Sequence, residues 1–433
     1  MDDDMMDSLN SVQYQPLQQY EPPQGGERKL DLVFILDCTG SMGSYIASAT
    51  TNIELIVENI LSSGKLPSAE SLRIGLIAYR DYPPQDNSYI TKSFEFTSDV
   101  SRIKEDLKTL YASGGGDGPE GVTAAMKAAL ELSWRPDASR MAVLVADAPA
   151  HGIGEYGDGF PNGGPDGEDP LLLARTMAAQ GISLFVVACE PACSGYQFAT
   201  DFFRALTVIT SAVLVPLTTA SLLSHVIVGS ALEQMDMDRL IKEVGFAVSE
   251  RVHGGVGSVD DVARELQEKL MLRGEATKQL SFESIHRETD ETRHNVDTFV
   301  NAESLAAAKP NLKKVIGSRF TEKYLQTRYT SAYASRTGST PSSSLYPSIP
   351  ARPGSTPSPS GTPSSPPRKV VSEFKPFAAS SGLSMANTAL GANVEEDMTD
   401  ESKGIELKFS SISLEQAKRI TIAAAWRTAP PRA

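Results

Sequence analysis

With only three cysteines in 433 residues, Cys38, Cys189 and Cys193, the chain cannot build a disulfide framework. Positive charge is also short. Forty Lys and Arg face 54 Asp and Glu, a net charge of −14, which argues against nonspecific binding of nucleic acid or of an anionic membrane. Nowhere do about 18 apolar residues follow one another, so no membrane span is expected. The chain opens Met1-Asp2-Asp3-Asp4, not with the basic and then apolar stretch of a secretory leader. These absences make a soluble, cytoplasmic protein the expectation. A nucleotide cradle of the form Gly-x4-Gly-Lys-Ser/Thr is missing too, because Gly64-Lys65 has Asn59 where the first glycine is required. No kinase motif set occurs either.

What is present is a regular alternation that begins at Leu30. Leu32-Val33-Phe34-Ile35-Leu36 reads as a strand buried on both faces. The helix after it carries Tyr45, Ile46, Ala49, Ile53, Ile56 and Ile60 at three- and four-residue steps. Further strands are expected at 72–79, 90–96 (an edge), 141–146, 183–188 and 212–216. Helices are expected near 100–112, 119–133, 168–180 and 196–206, with a closing helix over about 220–243. Apolar strands alternating with helices predict an α/β fold, doubly wound, with a mostly parallel sheet flanked by helices.

Chemistry concentrates where those strands end. Asp37, Thr39 and Ser41 follow the first strand directly, one carboxylate and two hydroxyls that suit a hard divalent cation. A capping role for Asp37 or Thr39 is the alternative. Two later segments join them: Ser113-Gly114-Gly115-Gly116-Asp117-Gly118-Pro119-Glu120-Gly121, and Val145-Ala146-Asp147-Ala148-Pro149-Ala150-His151-Gly152. A fourth, Ala78-Tyr79-Arg80-Asp81, ends the second strand. In order and spacing these motifs, over roughly 200 residues, resemble the von Willebrand factor A domain and its metal-ion-dependent adhesion site. The likeness is greatest to intracellular A domains of the α-kinase-associated type from slime moulds and fungi, here without a kinase domain.

That resemblance implies a Mg2+ (or Mn2+) held by Asp37, Thr39, Ser41, Asp117 and Asp147, with Asp117 where many members have Thr. It also implies a protein partner whose acidic residue completes the metal shell. Three carboxylates instead of two would tighten cation binding and weaken the pull on such an acidic ligand. Asp117-Gly118-Pro119-Glu120 is also a helix-start pattern, so Asp117 is expected to cap a helix as well. The function expected is divalent-metal-dependent protein–protein interaction, as an intracellular scaffold or regulatory adaptor. The alternatives are a hydrolase that uses the same Mg2+ with His151 as base, and a scaffold independent of metal. Arg80 and Asp81 are expected on the same rim, a feature the resemblance implies and a rim salt bridge explains equally well, and the acidic, glycine-rich stretch 152–169 is expected as a solvated, mobile loop.

The domain plan follows composition. Residues 1–27 are acidic and polar and expected to be disordered, and 28–240 form the A-like domain. Residues 241–330 are a helical or mixed extension, opened by Ser258 as a cap. Residues 331–370 are a Ser/Thr/Pro-rich linker, and 371–433 a partly disordered tail with a small strand and helix. In that tail Ile405, Leu407 and Phe409 alternate, and Ser413 with Gln416 makes a capping box. The linker holds Pro347-Ser348-Ile349-Pro350-Ala351-Arg352 and Pro363-Ser364-Ser365-Pro366-Pro367-Arg368, the form an SH3-type groove reads.

Overall fold

The computed structural model describes residues 27–255, 257–328 and 405–428. The linker with its two SH3-type motifs and the first 26 residues lie outside them. Strand β1 (Leu30–Asp37) is buried along its whole length. Its side chains divide by parity, as a two-residue period demands. Leu32, Phe34 and Leu36 enter one hydrophobic layer, with Ile46 and Ile53 of α1 (Gly43–Ser62) and Ile103 of α2 (Val100–Lys108). Val33 and Ile35 enter the other. There they meet Val122 and Met126 of α3 (Val122–Leu130), Leu171 of α4 (Pro170–Ala179) and Phe202 of α5 (Ala199–Ile209).

Strands β2 (Leu72–Tyr79), β3 (Thr91–Thr97), β4 (Ser139–Ala146), β5 (Ile182–Cys189) and β6 (Leu214–Leu217) complete a six-stranded sheet of order β3-β2-β1-β4-β5-β6. Every pairing is parallel except that of the edge strand β3. This is the doubly wound α/β fold expected from the alternation of elements. The order reverses between β1 and β4, so a crevice opens at their carboxyl ends. Leu36 pairs with Val145 there, which brings Asp37 and Asp147 out of neighbouring strands into that crevice.

The closing helix α6 (Leu223–His253) runs ten residues past the end expected from sequence, 253 against 243. It continues because its apolar face continues. Leu240, Ile241 and Val248 pack with Val262 and Leu266 of α7 (Val259–Leu272) and with Ile420 and Ala424 from the far end of the chain. Ser258 caps α7 in a reciprocal box with Asp261. Strand β7 (Ala276–Phe282) precedes α8 (Asp290–Asn301), α9 (Leu305–Ala308) and a helical stretch α10 at 322–328. Phe299 of α8 meets Phe202 of α5 with ring centroids 5.6 Å apart, so this part of the extension covers the α5 face.

After the linker the chain returns to the same body. Strand β8 (Ile405–Ser411) pairs antiparallel with β7, and α11 (Leu414–Thr428) packs on α6 and α7. The Ser413–Gln416 box is present, with Gln416 N–H donating to Ser413 Oγ at 3.2 Å and Ser413 N–H to Gln416 Oε1 at 3.3 Å. Arg419 pairs with the buried Glu233 of α6, whose other oxygen accepts Leu280 N–H of β7 at 2.9 Å. Removing one member of a buried pair strands the other charge. Arg419→Met should therefore cost about 3 kcal/mol of stability. Adding Glu233→Gln should recover a large part of that loss. Urea unfolding of the single and double variants measures both.

Candidate metal centre and its surroundings

Asp37 ends β1 fully buried. Its Oδ1 accepts Thr39 N–H at 2.8 Å and Thr39 Oγ1–H at 2.6 Å, and its Oδ2 accepts the Tyr79 hydroxyl at 3.3 Å. The first bond is the local turn that Asp makes with the residue two ahead. Neither Asp37 nor Thr39 caps a helix with its side chain. The turn of 3-10 helix at Gly40–Met42 and α1 behind it both start without a side-chain cap. Ser41 hydrogen-bonds Asp147, which is 8 % exposed at the end of β4.

Thr39, Ser41, Asp147 and Tyr196 line one cleft, and the acid on its remaining wall is Glu120. The glycine loop makes room for it. A Cβ on Gly115, whose φ is +80°, would lie 2.6 Å from Glu120 Oε1 and 3.3 Å from Thr39 Cβ. Glu120 N–H donates to Pro149 O at 2.8 Å, and Glu120 bridges in parallel to Ala150, so its backbone is fastened to the loop that carries Asp147. Its side chain is 5 % exposed, and Oε2 has no hydrogen-bond partner.

Electrostatics separate this cleft from ordinary buried acids, which are paired. Burial, then the charges of Asp37, Asp81, Asp147 and Asp117, push the Glu120 carboxyl up to about 10. Burial and then Asp147 push Asp37 up to about 7, against the lowering effect of Thr39 and Tyr79. Burial raises Asp147 as well, with Ser41 opposing. The groups that act most strongly on Glu120 are thus all carboxylates. A crowd of oxygen ligands of one sign, with an acceptor atom left over, is a donor set that fits a hard divalent cation.

Asp117 stands apart. Its Oδ2 accepts Gly159 N–H and Gln85 Nε2–H. The capping role expected for it is not found: α3 begins at Val122 behind Gly121, with no side-chain cap. The chain is instead held there by Gly121 N–H donating to Arg80 O at 2.9 Å. Ligand atoms of Asp117, Asp81 and His151 lie within 4.8 Å of one another, a second group that could hold a metal. Both His151 ring nitrogens are already engaged, however. Nε2 bonds Asp81 Oδ1 and Nδ1 bonds Asp158 Oδ1, each at 2.7 Å. Burial would lower this imidazole, but the bonds to Asp158 and Asp81 outweigh it and push it up to about 9. To ligate a metal or act as a base, His151 would first have to give up a proton and one of these two bonds.

Two other expectations need correction. Arg80 is 1 % exposed and makes no rim pair with Asp81. Its guanidinium lies 3.7 Å from Asp86, between the rings of Tyr89 and Tyr111, and donates to Cys38 O at 3.2 Å and Tyr111 O at 2.8 Å. The acids of 152–169 are not a solvated run. Asp158 accepts Gly152 N–H and holds His151, and Glu155 accepts Gln197 and Phe198 N–H. Asp166 accepts the Tyr82 hydroxyl, Glu168 pairs with Lys127, and Asp169 caps α4. Each carboxylate found a fixed donor, a pairing that composition does not reveal.

His151 makes stability depend on pH. Its folded value lies above its ordinary 6.5, so its contribution is complete below about pH 6.5 and is lost as pH rises through about 9. The destabilisation caused by His151→Gln should be largest near pH 6.5 and shrink steadily towards pH 9, as read from urea unfolding across that range.

Residues 31–210 match the family model of the von Willebrand factor type A domain. Over 142 residues the chain is 36 % identical to the alpha-protein kinase vwkA of Dictyostelium discoideum, a match covering 32 % of this chain and 22 % of the kinase. Over 113 residues it is 31 % identical to human hemicentin-1, covering 26 % of this chain and 2 % of that protein. The chain thus spans about a fifth of the kinase and far less of hemicentin-1. A solved structure, the pilus adhesin SpaC of Lactobacillus rhamnosus GG, aligns over 49 % of this chain and 31 % of its own, at 13 % identity and a TM-score of 0.37. The stretch from β1 through α5 is thus the part of this chain that matches the von Willebrand factor type A domain.

Proposed function

We propose that this chain is a divalent-metal-dependent protein-interaction module that serves as a cytoplasmic scaffold or regulatory adaptor. The observation that carries this reading is the cleft at the end of β1 and β4, where buried carboxylates converge and Glu120 Oε2 has no hydrogen-bond partner among the described residues. Asp37, Thr39, Ser41 and Asp147 would hold Mg2+ or Mn2+, directly or through water, and Glu120 takes the wall that the sequence reading assigned to Asp117. When bound, the cation supplies positive charge and a coordination position open to a partner's oxygen.

The chain's own residues do the rest. Thr39 fixes the rotamer of Asp37 by two hydrogen bonds, and the Ser41 hydroxyl lies beside Asp147. The glycines at 114–116 and Tyr196 line the cleft, and the glycines bring no side chains to its wall. Tyr196 is fastened there by its hydroxyl, which donates to Gly118 O at 2.9 Å. Three cysteines that are buried and free agree with a reducing compartment. Among the described residues no helix is long and apolar enough to cross a membrane.

Calorimetric titration of the full chain with Mg2+ and Mn2+, beside Asp37→Ala combined with Ser41→Ala, tests the reading. The wild type should bind one ion, and the double variant should lose at least about tenfold in affinity while keeping its fold by circular dichroism. Absence of binding to a folded wild type would overturn the metal-dependent part. A chelator that left every captured partner in place would overturn the link between metal and recognition.

A further inference from the structure

We infer that Glu120 is a built-in carboxylate ligand of the metal centre, and that the partner group the centre accepts is a neutral oxygen, a hydroxyl or an amide carbonyl, and not a carboxylate. The inference rests on the reading of the cleft as a divalent-metal centre and deepens it.

Three observations carry it. Glu120 faces the cleft with Thr39, Ser41 and Asp147, 5 % exposed, and its Oε2 has no hydrogen-bond partner. An orphaned carboxylate oxygen at such burial is costly unless something positive meets it. Its place is also built: Gly115 leaves the space for its head, and the bond from Glu120 N–H to Pro149 O fixes its root beside the Asp147 loop. Third, the charge count is closed by the chain itself. Asp37, Glu120 and Asp147 bring three negative charges to a cation of two. A partner carboxylate would bring a fourth into a region that already holds Asp81 and Asp117. The net charge of −14 adds repulsion to the approach of an acidic surface. A neutral oxygen meets neither penalty, and a basic surface around it would be drawn in.

Acetate is a direct probe of whether an acidic ligand is accepted. Free Mn2+ is followed by electron paramagnetic resonance while the full-length chain is titrated, with and without acetate. The wild type should bind Mn2+ with an affinity that acetate leaves unchanged. In Glu120→Gln, affinity should fall by about tenfold or more, and acetate should restore several-fold of it by filling the vacated anionic position. Melting without metal supplies a second readout. Glu120→Gln should melt above the wild type, because an acid buried among other acids with an unpartnered oxygen has gone, and it should gain less from added Mn2+. Acetate strengthening Mn2+ binding to the wild type would overturn the neutral-ligand inference. So would Glu120→Gln binding Mn2+ as tightly as wild type. A wild type that binds no Mn2+ would bring down the metal centre itself, a separate and recognisable failure.

Discussion

Repulsion among Asp37, Glu120 and Asp147 is the constraint around which this molecule is arranged. Three acids from two strand ends and a glycine loop meet at the point where the sheet order reverses, and burial denies them water. The surrounding fold supplies the rigidity that makes such an arrangement persist. The buried runs Leu32–Leu36 of β1 and Met141–Ala146 of β4 fix the strand ends, and two hydrophobic layers hold the sheet on both faces. Neutral donors such as Thr39, Ser41 and Tyr79 orient the carboxylates without cancelling their charge. A charge deliberately left over at a preorganised site is what makes a protein surface selective for cations.

The neighbouring polar groups show the contrast. A few ångströms away Asp81 and Asp158 share the ring of His151, and Arg80 is spent on Asp86 and on carbonyls. There two carboxylates share one imidazole and a guanidinium lies beside a third, and these contacts tie down the chain under the glycine loop and the 152–169 segment. The cations nearby are thus engaged with other partners and do not pair with the carboxylates of the cleft. The two clusters read alike in composition and differ in how their carboxylates are partnered.

Much of this was legible in the sequence. Period-two and period-three-to-four apolar patterns place β1, α1 and most later elements, because burial is a property of local spacing. The caps at Ser258 and Ser413 were legible for the same reason. What was hidden depends on contacts distant along the chain. Glu120 and Asp117 lie three residues apart and are chemically alike. Only the turn through Gly118 (φ +108°) and the tie to Pro149 decide which of them enters the cleft. The acids of 152–169 looked solvated because their donors, such as Gln197, Tyr82 and Lys127, come from other elements. The pairing of β7 with β8 spans the whole linker, beyond the reach of any local pattern.

That last pairing joins two distant stretches of the chain. The chain leaves one compact unit after Gln326 and rejoins it before Ile405, where β8 and α11 are fastened to β7, α6 and α7. The described residues up to 326 and from 405 onward therefore belong to one body, although a long stretch of sequence separates them. A chain cut between them would keep β8 and α11 in place only through noncovalent packing on β7, α6 and α7.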